Sequence, residues 1–249
     1  MELKDAVAIV TGSSRGIGAA TADMLAARGA LVTVNYHMNR ERGEGVLAGI
    51  RERGGEGILV QADVTDMDQV EAMVDRTVKE LGPVDILVNN ANIYFPIKAF
   101  LEYGWEDFER KILQEMKALF FPCKVVVSGM ARRRRGCIVN VSSGLSRVPG
   151  LGFCAHTSAK SALDGFSKAL AQELGPHGIR VNVVAPGLTV TDATSNQPEE
   201  MLEAIAQHTP LRRLAQPEDV ARAVLFFCTA KAGFITGAYL PVSGGIQML

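Results

Sequence analysis

The sequence predicts an α/β protein, a single domain over residues 1–249 in which about seven parallel strands form a doubly wound sheet with helices on both faces. Three observations carry this. Short β-branched runs alternate with longer stretches of helical period along the whole chain; parallel strands need such crossovers, and right-handed crossovers put helices on both faces. Runs such as "ILV" (86–88) and "IVNV" (138–141) are apolar without strict alternation, as a sheet covered on both sides requires. A glycine-rich turn follows the first strand directly.

In order, the strand "AVAIV" (6–10) precedes a helix over 16–28, "LVTVNY" (31–36) one over 40–53, "GILVQ" (57–61) one over 66–81, and "DILVN" (85–89) one over 105–130. The second half continues with "CIVNVS" (137–142), a helix from about 157 to 174, "IRVNVV" (179–184), a helical region from about 199 to 230, and "AYLPV" (238–242). Glycine and proline fall between these elements rather than in blocks, so no domain boundary is indicated. The weakly patterned segment 187–200 reads as a mobile loop beside a ligand, within a substrate loop of about 187–210.

With 47% hydrophobic residues and a net charge of -1, no global field attracts nucleic acid or acidic lipid, and a small-molecule substrate is expected instead. The one basic run, Arg132 to Arg135, reads as a solvated loop. No apolar stretch approaches the roughly 18 residues of a membrane span, and the apolar run near the N-terminus is too short for a signal segment, which makes the expected location cytoplasmic. Cys123, Cys137, Cys154 and Cys228 are scattered without ligand spacing, so neither a metal site nor a disulfide framework is expected. They read as buried thiols, Cys154 lying close to the site described below.

"VAIVTGSSRGIGAA" places Gly12, Gly16 and Gly18, with Ser14, Arg15 and Ile17 among them, between the first strand and its helix. Glycine belongs there because the chain must turn sharply while a pyrophosphate meets backbone N–H groups at the positive end of the helix. This Gly-x-x-x-Gly-x-Gly spacing resembles that of the short-chain dehydrogenases/reductases. "QADVTD" (61–66), "VDILVNNA" (84–91), "VNVSS" (139–143), "RVNVVAPGLTVTD" (180–192) and "ITGAYLPVSGG" (235–245) are similar to further motifs of that family, over essentially the full length. The resemblance, strongest to the 3-oxoacyl carrier-protein reductases, implies a Rossmann-type fold, a nicotinamide dinucleotide and hydride exchange with a carbonyl or alcohol. It implies cofactor contacts at Asp63, Val64, Asn90, Ala91, Lys160, Pro186, Gly187 and Thr191 besides the glycine loop.

An acid at the end of the second strand would bind a ribose 2'-hydroxyl and repel a 2'-phosphate. Here that position is Tyr36, no acid follows until Glu41, and Arg15, His37 and Arg40 are candidates to face a phosphate. NADP(H) is favoured over NAD(H).

The resemblance breaks at the chemistry. The family's catalytic serine and lysine match Ser143 and Lys160, but its tyrosine is His156 in "HTSAK", its asparagine is Glu115 in "LQEMKALFFPCK", and the glycine after "NNA" is Asn92. Tyr36, Tyr94, Tyr103 and Tyr239 are the only tyrosines, and none lies on this helix. Decay of an unused site would admit any residue. The replacements at His156 and Glu115 are both titratable, and imidazole, with an unperturbed pKa of about 6.5, exchanges protons near neutral pH. Glu115 is therefore expected to orient His156 and stabilise its cation, or to organise water.

Three functions stay open on this reading: an NADP(H)-linked oxidoreductase with an atypical Ser143–His156–Lys160 site, a redox-impaired subunit supporting an active relative in a mixed oligomer, and non-redox dehydration, isomerisation or cyclisation. Family resemblance implies a homotetramer or homodimer assembled through the helices near 105–130 and 157–174. Ile93, Tyr94, Phe95, Phe100, Leu188 and Met201 suggest an apolar pocket, such as an acyl thioester would need.

Overall fold

The structure is a computed structural model that describes residues 2–192, 194 and 197–248. Its strands are β1 (Val7–Val10), β2 (Leu31–Tyr36), β3 (Glu56–Gln61), β4 (Val84–Asn89), β5 (Gly136–Val141), β6 (Ile179–Pro186) and β7 (Tyr239–Val242). Between them run α1 (Gly16–Ala26), α2 (Arg40–Glu52), α3 (Met67–Glu80), α4 (Trp105–Arg133), α5 (Cys154–Leu174), α6 (Glu199–His208) and α7 (Pro217–Cys228). The strands form one seven-stranded parallel sheet in the order β3-β2-β1-β4-β5-β6-β7. This is a single-domain Rossmann-type fold.

Strand periodicity divides the core in two. Ala8, Val10, Val32, Val34, Val88 and Val139 face one side, where Leu25 of α1 and Val220 and Val224 of α7 cover them. Val7, Ile9, Val60, Leu87, Ile138 and Val181 face the other, against Met73 of α3, Val126 and Met130 of α4 and Leu174 of α5. Each fully buried Val or Ile contributes about 1.5–3 kcal/mol relative to exposure, which is why four-residue β1, buried throughout, can anchor the sheet's centre. Strand order reverses between β1 and β4, and in such sheets ligands bind outside the carboxyl ends of the strands at that switch.

One expectation is refined and one is corrected in part. The helical region over 199–230 is two helices, α6 and α7, because Pro210 interrupts the backbone pattern and Pro217 starts the second helix under a Gln216–Asp219 capping box. Arg132–Arg135 is solvated as expected but is not a loop throughout: Arg132 and Arg133 close α4, Arg134 is its left-handed cap (φ 52°), and Arg133 and Arg135 flank Asp85 at 3.6 and 3.5 Å. Three positions of the predicted 187–200 loop, residues 193, 195 and 196, lie outside the described residues.

Candidate active site

The carboxyl ends of β1, β4, β5 and β6 carry the residues singled out by sequence. After β1 the chain turns through Gly12 (φ +61°) and Gly16 (φ +54°), conformations that L side chains rarely adopt. A Cβ on Gly12 would sit 2.9 Å from the Ala91 Cα, and one on Gly18 would sit 2.5 Å from both the Gly12 carbonyl oxygen and the Asn90 amide nitrogen. Gly18 therefore makes room for Asn90, whose side chain donates to the carbonyls of Thr11 (3.0 Å) and Gly12 (3.1 Å) and so fastens the β4 end to the β1 turn. Asn35, which the sequence reading passed over, completes the cradle. Its Oδ1 accepts from the Gly12 N–H at 2.9 Å, while its Nδ2 donates to Ala62 at 3.1 Å.

The cradle fits a dinucleotide. Helix α1 starts at Gly16 with no capping side chain and no acid in its first turn, since Arg15 at the N-cap makes no cap hydrogen bond. Its first N–H groups and the positive end of its dipole are thus free for an anion. Around it stand Ser14 and Ile17, half-buried, and Arg15, exposed. Thr191 from beyond β6 lies 3.3 Å from where a Gly16 Cβ would be, and Gly187, after Pro186, donates to Val242 at 3.0 Å. After β3, Val64 is buried, and the Asp63 carboxylate accepts from Thr65 N–H and hydroxyl at 2.9 and 2.8 Å.

Two of the three residues expected to face a 2'-phosphate have acidic neighbours. His37 stands 3.8 Å from Asp63, and Arg40 is paired with Glu44 at 2.7 Å. Arg42, missed by the sequence reading, pairs instead with Asp192, bridging α2 to the segment after β6. Tyr36 is buried at the end of β2, with no acid beside it in sequence.

At the end of β5, Ser143 is half-buried and its hydroxyl oxygen accepts from the Leu145 N–H at 3.2 Å, leaving its own proton to donate. His156 and Lys160, four residues apart on α5, are 7% and 3% exposed. Glu115 of α4 does not pair with His156 as expected. Its Oε1 lies 2.6 Å from Lys160 Nζ and its Oε2 2.6 Å from Lys111 Nζ. Lys160 also donates to the Val141 carbonyl at 2.9 Å, which leaves one of its three N–H groups available. Burial works against the Glu115 charge, but the Lys160 and Lys111 ammonium groups outweigh it and hold the carboxyl down at about 2.

The expectation of an imidazole titrating near neutral pH is likewise corrected. Burial, joined by the Lys160 and Lys111 charges, pushes His156 down to about 3, against the weaker pull of Glu115. The ring is a neutral imidazole. Its face stacks on Phe95, with centroids 4.6 Å apart and planes 16° from parallel, and Phe153 lies edge-on at 6.3 Å. Its Nδ1 is buried without a hydrogen-bond partner among the described residues.

Lys111 was also missed, although "KILQE" carries its signal, a Lys and a Glu four apart. Alone, that spacing reads as a solvated helix pair. The apolar residues expected to line a pocket divide: Phe95 covers His156, whereas Tyr94, Phe100 and Met201 are exposed. Phe100 lines an open groove of about 690 Å³ with Ile97, Leu151 and Cys154, along the outer side of α5.

A family model described as enoyl-(acyl carrier protein) reductase matches residues 12–247. The chain is 37% identical to a 3-oxoacyl-(acyl-carrier-protein) reductase FabG of Staphylococcus aureus, covering 97% of this chain and 98% of the relative. It is 39% identical to a 3-oxoacyl-(acyl-carrier-protein) reductase of Synechocystis, covering 97% of each. An uncharacterized oxidoreductase of Methylorubrum extorquens is 36% identical over 99% of each chain.

Proposed function

Because the chain belongs to the short-chain dehydrogenase/reductase family of oxidoreductases, we propose that it is an NADP(H)-linked reductase of 3-oxoacyl thioesters, working through Ser143, His156 and Lys160. The observation that carries this reading is the neutral, enclosed imidazole of His156, one helical turn from Lys160, with an unpartnered Nδ1. A neutral imidazole cannot act as an imidazolium acid at physiological pH, but its N–H can polarise a carbonyl and stabilise the developing oxyanion.

The dinucleotide, when bound, supplies or accepts the hydride. The Ser143 hydroxyl donates to the substrate oxygen, and His156 donates from its ring N–H at Nε2, since its Nδ1 is buried, directly or through one water. As charge builds on that oxygen, the His156 N–H stays in place as its hydrogen-bond donor, and the proton that completes the alcohol comes from solvent water. Glu115, shared between two ammonium groups, keeps this buried row from carrying two uncompensated charges. The remaining Lys160 N–H is free for the nicotinamide ribose. Two oxygen-directed donors suit a ketone rather than the carbon–carbon double bond of an enoyl substrate.

The lack of an acid at the end of β2 supports NADP(H), with Arg15, His37 and Arg40 as candidates to face the 2'-phosphate and Arg42 close to them in sequence. The two apolar side chains Leu113 and Phe120, 51% and 43% exposed on α4, support assembly into a homodimer or homotetramer through α4 and α5. A supporting role in a mixed oligomer with an active relative has one observation in its favour, the Phe95 ring lying flat over His156. Calorimetric titration with NADPH and NADH, paired with turnover of a 3-oxobutyryl thioester, tests the reading. Tighter NADPH binding with turnover is expected; NADPH bound with no turnover alone, and turnover only on mixing with a co-purifying reductase, would favour the supporting role.

A further inference from the structure

Asn92, Glu115 and His156, three positions at which the chain departs from its family's pattern, surround one side chain that the mechanism above does not use. Lys111, on α4, is fully buried. Its ammonium donates to Glu115 Oε2 at 2.6 Å, to Asn92 Oδ1 at 3.0 Å and to the Ile93 carbonyl at 2.8 Å. Those three bonds use every N–H it has. The same nitrogen lies 4.9 Å from the centroid of the Phe95 ring, and that ring stacks on His156. Burying an ammonium is costly unless it is paired and hydrogen-bonded, and here all its partners belong to the loop after β4 or to the site itself.

We propose that Lys111 is a positioning residue of the site: it ties Glu115 to the segment 92–95 and thereby holds the Phe95 ring flat against His156, fixing the plane of the imidazole. Unrelated decay at three positions would not leave all of them joined through one buried cation and the ring it supports. The ring in turn blocks one face of His156, so a substrate meets the imidazole at its edge. What His156 then does rests on the reductase reading; that Lys111 positions it does not.

The charged groups that act on the imidazole are Lys160 on its own helix and Lys111 and Glu115 on α4, while Phe95 and Phe153 supply its apolar cover. Replacing Lys111 removes one of the two ammonium groups that oppose the imidazolium. It also releases Phe95.

The test is nuclear magnetic resonance of the His156 ring in the full chain, assigned by its loss in H156A, beside steady-state kinetics. In K111M the His156 ring protons are expected to lose the upfield displacement that a stacked phenyl imposes, as they do in F95L, and their titration midpoint to rise. The kcat for the thioester should fall at least 10-fold with little change in the KM for NADPH. A folded K111M with His156 signals and titration like the parent's overturns the proposal. The unaltered chain gives a reading that no folding defect can spoil: with Phe95 stacked on the ring, its His156 ring protons should lie upfield of a free imidazole's. Parent signals at free-imidazole positions overturn the proposal as well. Displaced signals in a chain that reduces no thioester would keep the positioning role and overturn only the reductase reading.

Discussion

At the scale of single residues, the charge state of His156 follows from its neighbours rather than from its type. Its folded pKa of about 3 lies below the ordinary value of 6.5. Between those values the unfolded chain binds a proton that the folded chain refuses, so stability falls as pH is lowered through that window. Glu115, held at about 2 against an ordinary 4.5, adds stability that is lost with the same sign, but only at lower pH. The variant H156F, which keeps an aromatic ring against Phe95 and removes the titration, is predicted to flatten the fall in melting temperature between pH 7 and pH 5. A fall as steep as the parent's would contradict the burial argument. From sequence alone the ring was expected to titrate near neutrality beside Glu115. That expectation failed first because the ring is buried and then because two lysines, Lys160 and Lys111, oppose its charge and occupy Glu115; Lys111 has the spacing of an ordinary surface pair. By contrast Gly12 and Gly16 were legible because L side chains rarely adopt their backbone angles, and the i, i+4 frame of His156 and Lys160 because helical geometry fixes it.

At the scale of elements, the turn from β5 into α5 carries Ser143, and a buried carboxylate holds that turn. Asp164 of α5 accepts from the hydroxyls of Ser142 at 2.6 Å and Ser146 at 2.7 Å, with Arg147 at 3.7 Å. Burial raises its pKa despite these donors. In D164A the Ser142 and Ser146 hydroxyls lose their acceptor, which is predicted to cost about 1–3 kcal/mol of stability in denaturant unfolding and to lower kcat through Ser143. Unchanged unfolding and turnover would show that the turn holds itself. The alternation of strands and helices was readable because each element keeps one hydrophobic period. The break between α6 and α7 was not, since apolar residues recur at helical spacing on both sides of Pro210. The Arg42–Asp192 bridge was equally hidden, because it joins elements 150 positions apart and only the folded crevice brings them together.

For the whole molecule, strand order places the glycine cradle, Asn90, Ser143 and the segment after β6 around one crevice, and leaves the outer faces of α4 and α5 to other contacts. Among the described residues, no helix is long and apolar enough to cross a membrane, and the exposed Leu113 and Phe120 are read as an assembly surface. The double variant L113E/F120E is predicted to sediment as a smaller species than the parent, with its fold intact by circular dichroism. Identical sedimentation would place any assembly elsewhere. The claim that joins all three scales is that a neutral His156 replaces the family's tyrosine in hydride chemistry. Its most direct test is NADPH oxidation with a 3-oxobutyryl thioester by the parent chain and by H156A, with NADPH affinity measured on both. The account predicts turnover by the parent, a loss of about 100-fold or more in kcat for H156A, as removal of an oxyanion donor causes, and equal NADPH affinity. Undiminished turnover by H156A, or none by a parent chain that binds NADPH, would contradict it.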